Sequence, residues 1–224
     1  MCQVRPGTGS GLELIWRPFR LCAGASVIVL QVIVAFGCQA LQRPATAGFW
    51  FDVGTGSLPN QLTARLGGPL LPEEIASIER LSRAELDRAF SGLRIVFTPG
   101  PEAFWRVQVV PDLLYRGSLA GTGESLPLGP LGGVGSVGFN LVASKAIEYA
   151  PADSSRQMMV EGIGSGIGRV AAHEFFHQIL GANAAHNDWD PDSYEYGSPD
   201  RASQYYGELH GSGGCGPLVR CLEQ

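Results

Sequence analysis

The chain has 224 residues, 45% of them hydrophobic and 17% charged, which suits one folded domain and excludes a mainly disordered chain. The net charge is -5, with +3 on residues 1–47 and -8 on the remainder, so a phosphate-tracking basic groove is excluded and nucleic acid is not an expected partner. The 31 glycines and 15 prolines predict many turns and exclude a long coiled coil.

An uncharged apolar segment lies near the amino terminus. Residues 21–41 read LCAGASVIVLQVIVAFGCQAL and follow Arg17 and Arg20; cations before an apolar run are typical of a signal peptide or a membrane anchor. The run is close to the ~20 residues that span a bilayer, so its length does not separate these two. A buried core helix is the alternative interpretation.

Several positions in this region are suited to the end of a signal. The run 35–38, AFGC, resembles the lipoprotein signal of bacteria, in which the cysteine carries the lipid, and cleavage after Ala40 or Ala47 is also open. We predict that residues 1–47 are a signal peptide or a membrane or lipid anchor, and that residues 48–224 form the working domain. The expected location is outside the cytoplasm, as a periplasmic, cell-envelope lipoprotein or secreted protein.

The chain after residue 47 is predicted to form an α+β unit. Acidic residues in the first turn and apolar residues at helical spacing favour one amphipathic helix, and short β-rich runs bounded by Gly and Pro favour strands. The predicted elements, in chain order, are a helix over 72–90, strands over 93–97 and 104–110, a glycine-rich loop over 117–138, and strands over 137–142 and 146–149.

A GxGxxG pattern lies at residues 133–138. A dinucleotide fingerprint must follow a strand and open a helix so that its amides face the pyrophosphate. The preceding residues, LGPLG at 128–132, do not predict a strand, so we interpret this pattern as a flexible loop.

The chemistry is concentrated in the HExxH run at residues 173–177. Residues four apart lie on one face of a helix, so the imidazoles of His173 and His177 can converge on one cation. Glu174 then lies beside the metal, where it can take a proton from a water molecule. Three of the four histidines of the chain, counting His186, fall within fourteen residues. Structural histidines, or a closed structural metal site, are the alternatives.

Helical apolar spacing continues on both sides of this run and predicts a helix from about Ile167 onward, whereas the glycines at 162, 164, 166 and 168 weaken the part before it because each costs ~1 kcal/mol relative to Ala. Gly181 is placed to adopt the left-handed conformation that ends a helix.

Residues 172–196, AHEFFHQILGANAAHNDWDPDSYEY, resemble the active-site stretch of zincin metallopeptidases, and most of all the metzincins, with the pattern HExxHxxGxxH and a following turn that contains Met. The resemblance implies that His173 and His177 bind Zn²⁺ and that Glu174 is the general base. It also implies a zincin-like α+β fold in which a mixed sheet packs on the HExxH helix, and a peptide that lies extended along an edge strand, beside residues 137–142.

The sequence departs from the family pattern at the third ligand. Gly181 is one residue late, and Asn183 stands where the third histidine is expected. We favour His186 as the third ligand, because a neutral imidazole suits zinc and it is the first candidate after the glycine. Asp188 is the nearest alternative ligand, and Glu195 a remoter one.

The second departure is in the turn that should contain Met. In Ser193-Tyr194-Glu195-Tyr196, Glu195 stands at the Met position. Glu195 is therefore a candidate acceptor for the second nitrogen of a ligand histidine, and Tyr196 a further candidate beside the metal. Tyr194 and Tyr196 could each donate to an oxyanion or simply be a surface or core tyrosine. The acidic loop around them could be solvated or bind calcium.

The carboxyl-terminal tail contains the remaining candidate residues. Cys215 and Cys221 could form a disulfide in an oxidising compartment, and two cysteines at this spacing could instead bind zinc. His210 is expected to be exposed.

The function predicted from the sequence is a zinc metallopeptidase that acts on peptides or proteins and associates with the membrane through its amino-terminal segment. Two other classes stay open: a non-proteolytic metallohydrolase with the same ligands, and a non-catalytic envelope lipoprotein that retains the fold.

Overall fold

The computed structural model describes residues 44–54, 58, 60–115, 118–119, 121–181 and 186–211. Residues 1–43, which contain most of the predicted signal or anchor, lie outside the described residues, and so do Cys215 and Cys221. The export signal, its cleavage and the disulfide therefore stay predictions. Within the part of the chain that is described, none of the helices is both long and apolar enough to cross a bilayer.

The described residues form a mixed α+β fold in which helices pack on a five-stranded sheet, as the coarse fold class predicted. The elements, in chain order, are β1 Ala45–Phe51, α1 Asn60–Leu66, α2 Pro72–Ala89, β2 Ile95–Thr98, β3 Trp105–Val110, β4 Leu114–Tyr115, β5 Ser118–Leu119, β6 Gly123–Pro127, a 3₁₀ turn Gly129–Leu131, β7 Gly133–Gly138, α3 Phe139–Tyr149, α4 Arg156–Leu180 and α5 Ser203–Tyr206.

The sheet has the order β2-β1-β3-β7-β6. All neighbouring pairs are parallel except β6 and β7, so the edge strand β6 runs antiparallel to the rest. Alternate residues such as Phe49, Val107 and Val137 are fully buried and, with the apolar faces of α2 and α4, form the hydrophobic core. The small pair β4 and β5 forms a separate antiparallel ribbon.

The strand β1 was not predicted. Ala45, Thr46 and Ala47, which lie in the predicted signal region, pair with β2, and Ala47 also pairs with Trp105 of β3. Cleavage after Ala47 would remove three residues of an interior strand, so a cleavage position before Ala45 fits this fold better.

Three predicted elements are wrong between residues 117 and 149. The glycine-rich stretch is not a loop throughout, because β6 and β7 form a hairpin within it, and the GxGxxG residues 133–138 are strand β7. The two strands predicted over 137–142 and 146–149 are instead the end of β7 and the single helix α3. The buried residues of α3 recur at helical spacing across both predicted strands; they are Phe139, Val142, Ala143, Ala146 and Ile147.

The HExxH helix α4 begins eleven residues before the predicted start, at Arg156. Ser155 caps it by accepting a hydrogen bond from the amide of Met158 (3.1 Å). The glycines in its first half allow close helix packing: a Cβ at position 168 would lie 2.6 Å from the carbonyl oxygen of Ser82 in α2. The Ser82 hydroxyl also donates to the carbonyl oxygen of Gly164 across the same interface (2.9 Å). Tertiary packing therefore outweighs the weak intrinsic helix propensity of this segment.

Candidate metal centre

The last three turns of α4 bring two histidines onto one face. The Nε2 atoms of His173 and His177 lie 2.9 Å apart. This is the arrangement that the i, i+4 spacing predicted.

The third histidine comes from the loop after the helix. Gly181 has the positive φ expected of it, 54°, but its ψ of −125° is not that of the left-handed helical conformation, and its amide donates to the carbonyl oxygen of His177. The Nε2 atom of His186 lies 3.2 Å from that of His173 and 3.0 Å from that of His177. The three histidines therefore form a group that can hold a metal ion.

The donor set fits zinc. Four-coordinate zinc lies ~2.0–2.1 Å from imidazole nitrogens, which places two such nitrogens roughly 3.3 Å apart. The separations between the Nε2 atoms, 2.9, 3.0 and 3.2 Å, are close to this value. Nδ1 of His173 lies 2.9 Å from the carbonyl oxygen of Tyr194, and a carbonyl can only accept, so the ring proton is on Nδ1. The lone pair of Nε2 consequently faces the other two imidazoles.

The local environment favours neutral imidazoles, the protonation state that binds metals. Burial, together with the neighbouring histidines, lowers the pKa of His173 to about 4, although the hydrogen bond to Tyr194 acts in the opposite direction. Burial and the nearby His186 also lower the pKa of His177. Both groups are therefore available as ligands at neutral pH.

Glu174 lies in the same cavity as the histidines and is only 6% exposed. Burial, and to a smaller extent the charge of Glu124, raises the pKa of its carboxyl to about 8. A divalent cation nearby would lower this pKa again, because an opposite charge favours the carboxylate. Gly123 of β6 lies directly against the carboxyl group, so that a Cβ there would be 3.0 Å from Cδ of Glu174.

The cavity has a volume of about 370 Å³ and lies between α4, the edge strand β6 and the turn at residues 194–197. On one side it is lined by Gly123, Ser125 and Pro127 of β6. The sheet therefore contributes one wall of the cavity, and the outer edge of β6 has no strand partner among the described residues. The peptide position expected beside residues 137–142 is wrong in detail, because β7 is an interior strand and β6 is the edge.

The structure also places the other candidate residues predicted from the sequence. Asp188 is exposed and is not part of the three-histidine group among the described residues. Glu195 is buried. The acceptor for His173 is the carbonyl of Tyr194, and Glu195 as the acceptor for another ligand histidine stays a prediction. Tyr196 lines the cavity, and its hydroxyl accepts a hydrogen bond from Arg201 (3.0 Å). His210 is exposed, as expected, and pairs with Asp190 (2.9 Å).

Sequence reasoning missed the polar residues behind the histidines. Tyr194 is a core tyrosine whose hydroxyl donates to Oε1 of Glu85 (2.8 Å), so it is not available to an oxyanion. Arg169 pairs with the same carboxylate (2.9 Å). In the sequence, only the position of Arg169, four residues before His173 and so on the same helix face, indicated that it lies near the site.

Compared with models of protein families, with curated proteins and with solved structures, the chain gives no significant match. The residues of the site therefore provide the argument for its chemistry.

Proposed function

We propose that this chain is a zinc-dependent metallopeptidase of the zincin type. The observation that carries the proposal is the convergence of three imidazole Nε2 atoms in a cavity that also contains a buried carboxyl group, that of Glu174. Structural zinc sites use four protein ligands, whereas catalytic sites use three and leave one position open. Three histidines at the wall of an open cavity favour the catalytic type.

The proposed chemistry is hydrolysis of an amide bond. His173, His177 and His186 would hold the ion through Nε2, and bound zinc lowers the pKa of a coordinated water and polarises a carbonyl group. The carboxylate of Glu174 takes a proton from the attacking water as the new C–O bond forms. It then gives that proton to the amide nitrogen as the C–N bond breaks, so that an acid and an amine are released.

The edge strand β6 is the proposed contact for the substrate. A strand with an unpaired outer edge can bind an extended peptide through main-chain hydrogen bonds. Because Gly123, Ser125 and Pro127 of β6 line the cavity, a peptide paired with β6 would pass beside Glu174. This geometry supports a peptide or protein as the substrate.

The proposal also includes the cellular setting predicted from residues 1–47: export, and attachment to the envelope if the apolar segment 21–41 is retained. Its support is the run of uncharged residues after Arg17 and Arg20.

The test is a comparison of the full-length chain with its Glu174→Gln variant. Both proteins should bind about one zinc ion per chain, and only the wild type should hydrolyse a mixed peptide library, with activity lost on chelation and restored by zinc. Equal activity in the two proteins would reject Glu174 as the base. Hydrolysis of small esters or amides without any peptide cleavage would favour the non-proteolytic metallohydrolase, and zinc binding without hydrolysis the scaffold.

The ligand set is tested by two further variants. His186→Ala should lose zinc, and Asp188→Ala should keep it, because only the histidine has its ligand atom beside Nε2 of His173 and His177. The opposite result would overturn the assignment.

A further inference from the structure

Behind the three histidines lies a buried polar network that the proposed chemistry does not use. Its centre is the carboxylate of Glu85, a residue of α2 that is 1% exposed. Oε1 accepts from Nε of Arg169 (2.9 Å) and from the hydroxyl of Tyr194 (2.8 Å), and Oε2 pairs with Arg88 (2.7 Å). Three donors therefore hold one buried carboxylate.

Tyr194 connects this network to the candidate metal ligands. Its carbonyl oxygen accepts from Nδ1 of His173 (2.9 Å), while its side chain reaches Glu85. The amide of Tyr194 donates to the carbonyl oxygen of His210 (3.0 Å). Both the main chain and the side chain of Tyr194 are thus fixed, and with them the acceptor that sets the orientation of the His173 ring.

Arg169 extends the network along α4 and beyond it. It lies one helical turn before His173 and is 5% exposed. Its guanidinium donates to the carbonyl oxygens of Ser203 (2.9 Å) and Gly207 (2.7 Å). The network therefore joins α2, α4, the turn at residues 193–196 and the segment around α5, which are the elements surrounding the inner side of the site.

A buried ion pair of this kind is not explained by stability. Removing Glu85 and Arg169 from water costs free energy that their attraction does not reliably recover, and apolar residues of similar volume are often at least as stable. The planar guanidinium instead fixes directions, because its donors have a rigid geometry. Hydrogen-bond partners behind a metal-binding histidine fix its tautomer and orientation, and their loss typically weakens metal affinity about 10–100-fold.

From this geometry we propose that Tyr194, held by Glu85 and Arg169, is a positioning residue that orients His173 for metal binding. The inference rests on the proposed function. The Tyr194 hydroxyl does not contact His173 itself and acts on it only by fixing the Tyr194 carbonyl. We therefore expect its removal to weaken zinc affinity by about 10-fold, the lower end of the range for such partners.

The experiment compares Tyr194→Phe with Tyr206→Phe in the full-length chain. The control also removes a tyrosine hydroxyl, which donates to the carbonyl oxygen of Ala146 (2.6 Å) and has no contact with the histidines or with Glu85. Zinc affinity is measured by competition with a colorimetric chelator, and the visible spectrum with Co²⁺ reports the ligand geometry. Thermal unfolding without metal measures the structural cost of each variant.

The expected result is a dissociation constant for zinc about 10-fold higher and an altered Co²⁺ spectrum in Tyr194→Phe, with Tyr206→Phe within about twofold of the wild type. Wild-type affinity and spectrum in a folded Tyr194→Phe protein would overturn the inference. Equal weakening of zinc affinity in both variants would also overturn the inference, and so would failure of Tyr194→Phe to fold. Either result would give the Tyr194 hydroxyl a general structural role. A wild type that binds neither ion would reject the proposed function itself.

Discussion

Replacing Gly123 with Ala tests whether the position of Glu174 matters for the proposed reaction. Gly123 begins the edge strand β6 and pairs with Val137 of β7. A Cβ at this position would lie 2.7 Å from Cγ1 of Val170 and 3.0 Å from Cδ of Glu174, with the carboxylate oxygen Oε1 closer again. The Glu174 side chain can move at low cost because its far end is flexible, so we expect the variant to fold with the carboxyl group displaced.

The size of the effect follows from these contacts. To restore ordinary contact distances the carboxyl group must move by about 1 Å, and a misplacement of that size can reduce a rate by about 100-fold. This corresponds to about 2.7 kcal/mol in the activation free energy. The three atoms nearest to the added Cβ belong to Glu174 and Val170 and not to a histidine, so zinc affinity should stay within about twofold of the wild type.

The assay measures kcat/KM on a peptide that the wild type cleaves, together with zinc affinity and thermal unfolding. Leu126→Ala is the matched control, since this side chain is 59% exposed and points from β6 to the opposite face of the sheet. We expect kcat/KM of the control to change by less than about threefold, because the Leu126 side chain does not line the cavity and the proposed peptide contact with β6 uses main-chain hydrogen bonds. A Gly123→Ala protein with wild-type kcat/KM would refute the claim that Glu174 must occupy this position. Loss of zinc together with activity would instead show that the helix had moved.

Three further predictions concern the scaffold that carries the site. Gly168→Ala should lower the free energy of unfolding by about 1–3 kcal/mol in thermal or urea denaturation. The added Cβ would lie 2.6 Å from the Ser82 carbonyl oxygen, and this overpacking outweighs the gain in helix propensity. A stabilised variant would contradict this. Gln178→Ala should lower the free energy of unfolding by about 2 kcal/mol. The Gln178 side chain accepts from the backbone N–H of Arg106 (3.1 Å) and donates to its carbonyl oxygen (3.0 Å), and both backbone groups would lose a partner. A change below 0.5 kcal/mol, the range of surface substitutions, would reject that role. The hydrogen bond from Arg156 lowers the pKa of Glu74, so this pair should stabilise the fold at neutral pH and lose its effect as the pH falls below about 5. Glu74→Gln should therefore lower the melting temperature more at pH 7 than near pH 3, and an equal decrease at both pH values would contradict the ion-pair explanation.

The helix α2, the second half of α4 and the strands β2 and β3 could be predicted because each has a strong local pattern. Helical spacing of apolar residues, acids in a first turn and β-rich runs bounded by Gly or Pro are all properties of one short segment. The meeting of His173 and His177 was predictable for the same reason, since it depends only on helix geometry. The position of His186 depends on the loop, and its choice over Asp188 rested on ligand chemistry alone.

The strand β1 and the helix α3 could not be identified in this way. Residues 45–47 are small, and their strand conformation comes from pairing with β2, and at Ala47 also with β3, which a local pattern does not show. In α3 the apolar residues form two short groups, each compatible with a strand. Only the whole segment 139–149 shows the helical period.

The glycines of α4 show most clearly why the remaining structure needs tertiary information. Judged by intrinsic helix propensity alone, four glycines at alternate positions disfavour a helix. In the fold, positions 164 and 168 face α2, where a Cβ would lie 2.7 Å from the Leu81 side chain and 2.6 Å from that of Glu85. That close approach is what lets the carboxylate of Glu85 reach Arg169 and Tyr194 from the neighbouring helix. The residues that weaken α4 as an isolated helix thus permit the packing that fixes the inner side of the histidine site.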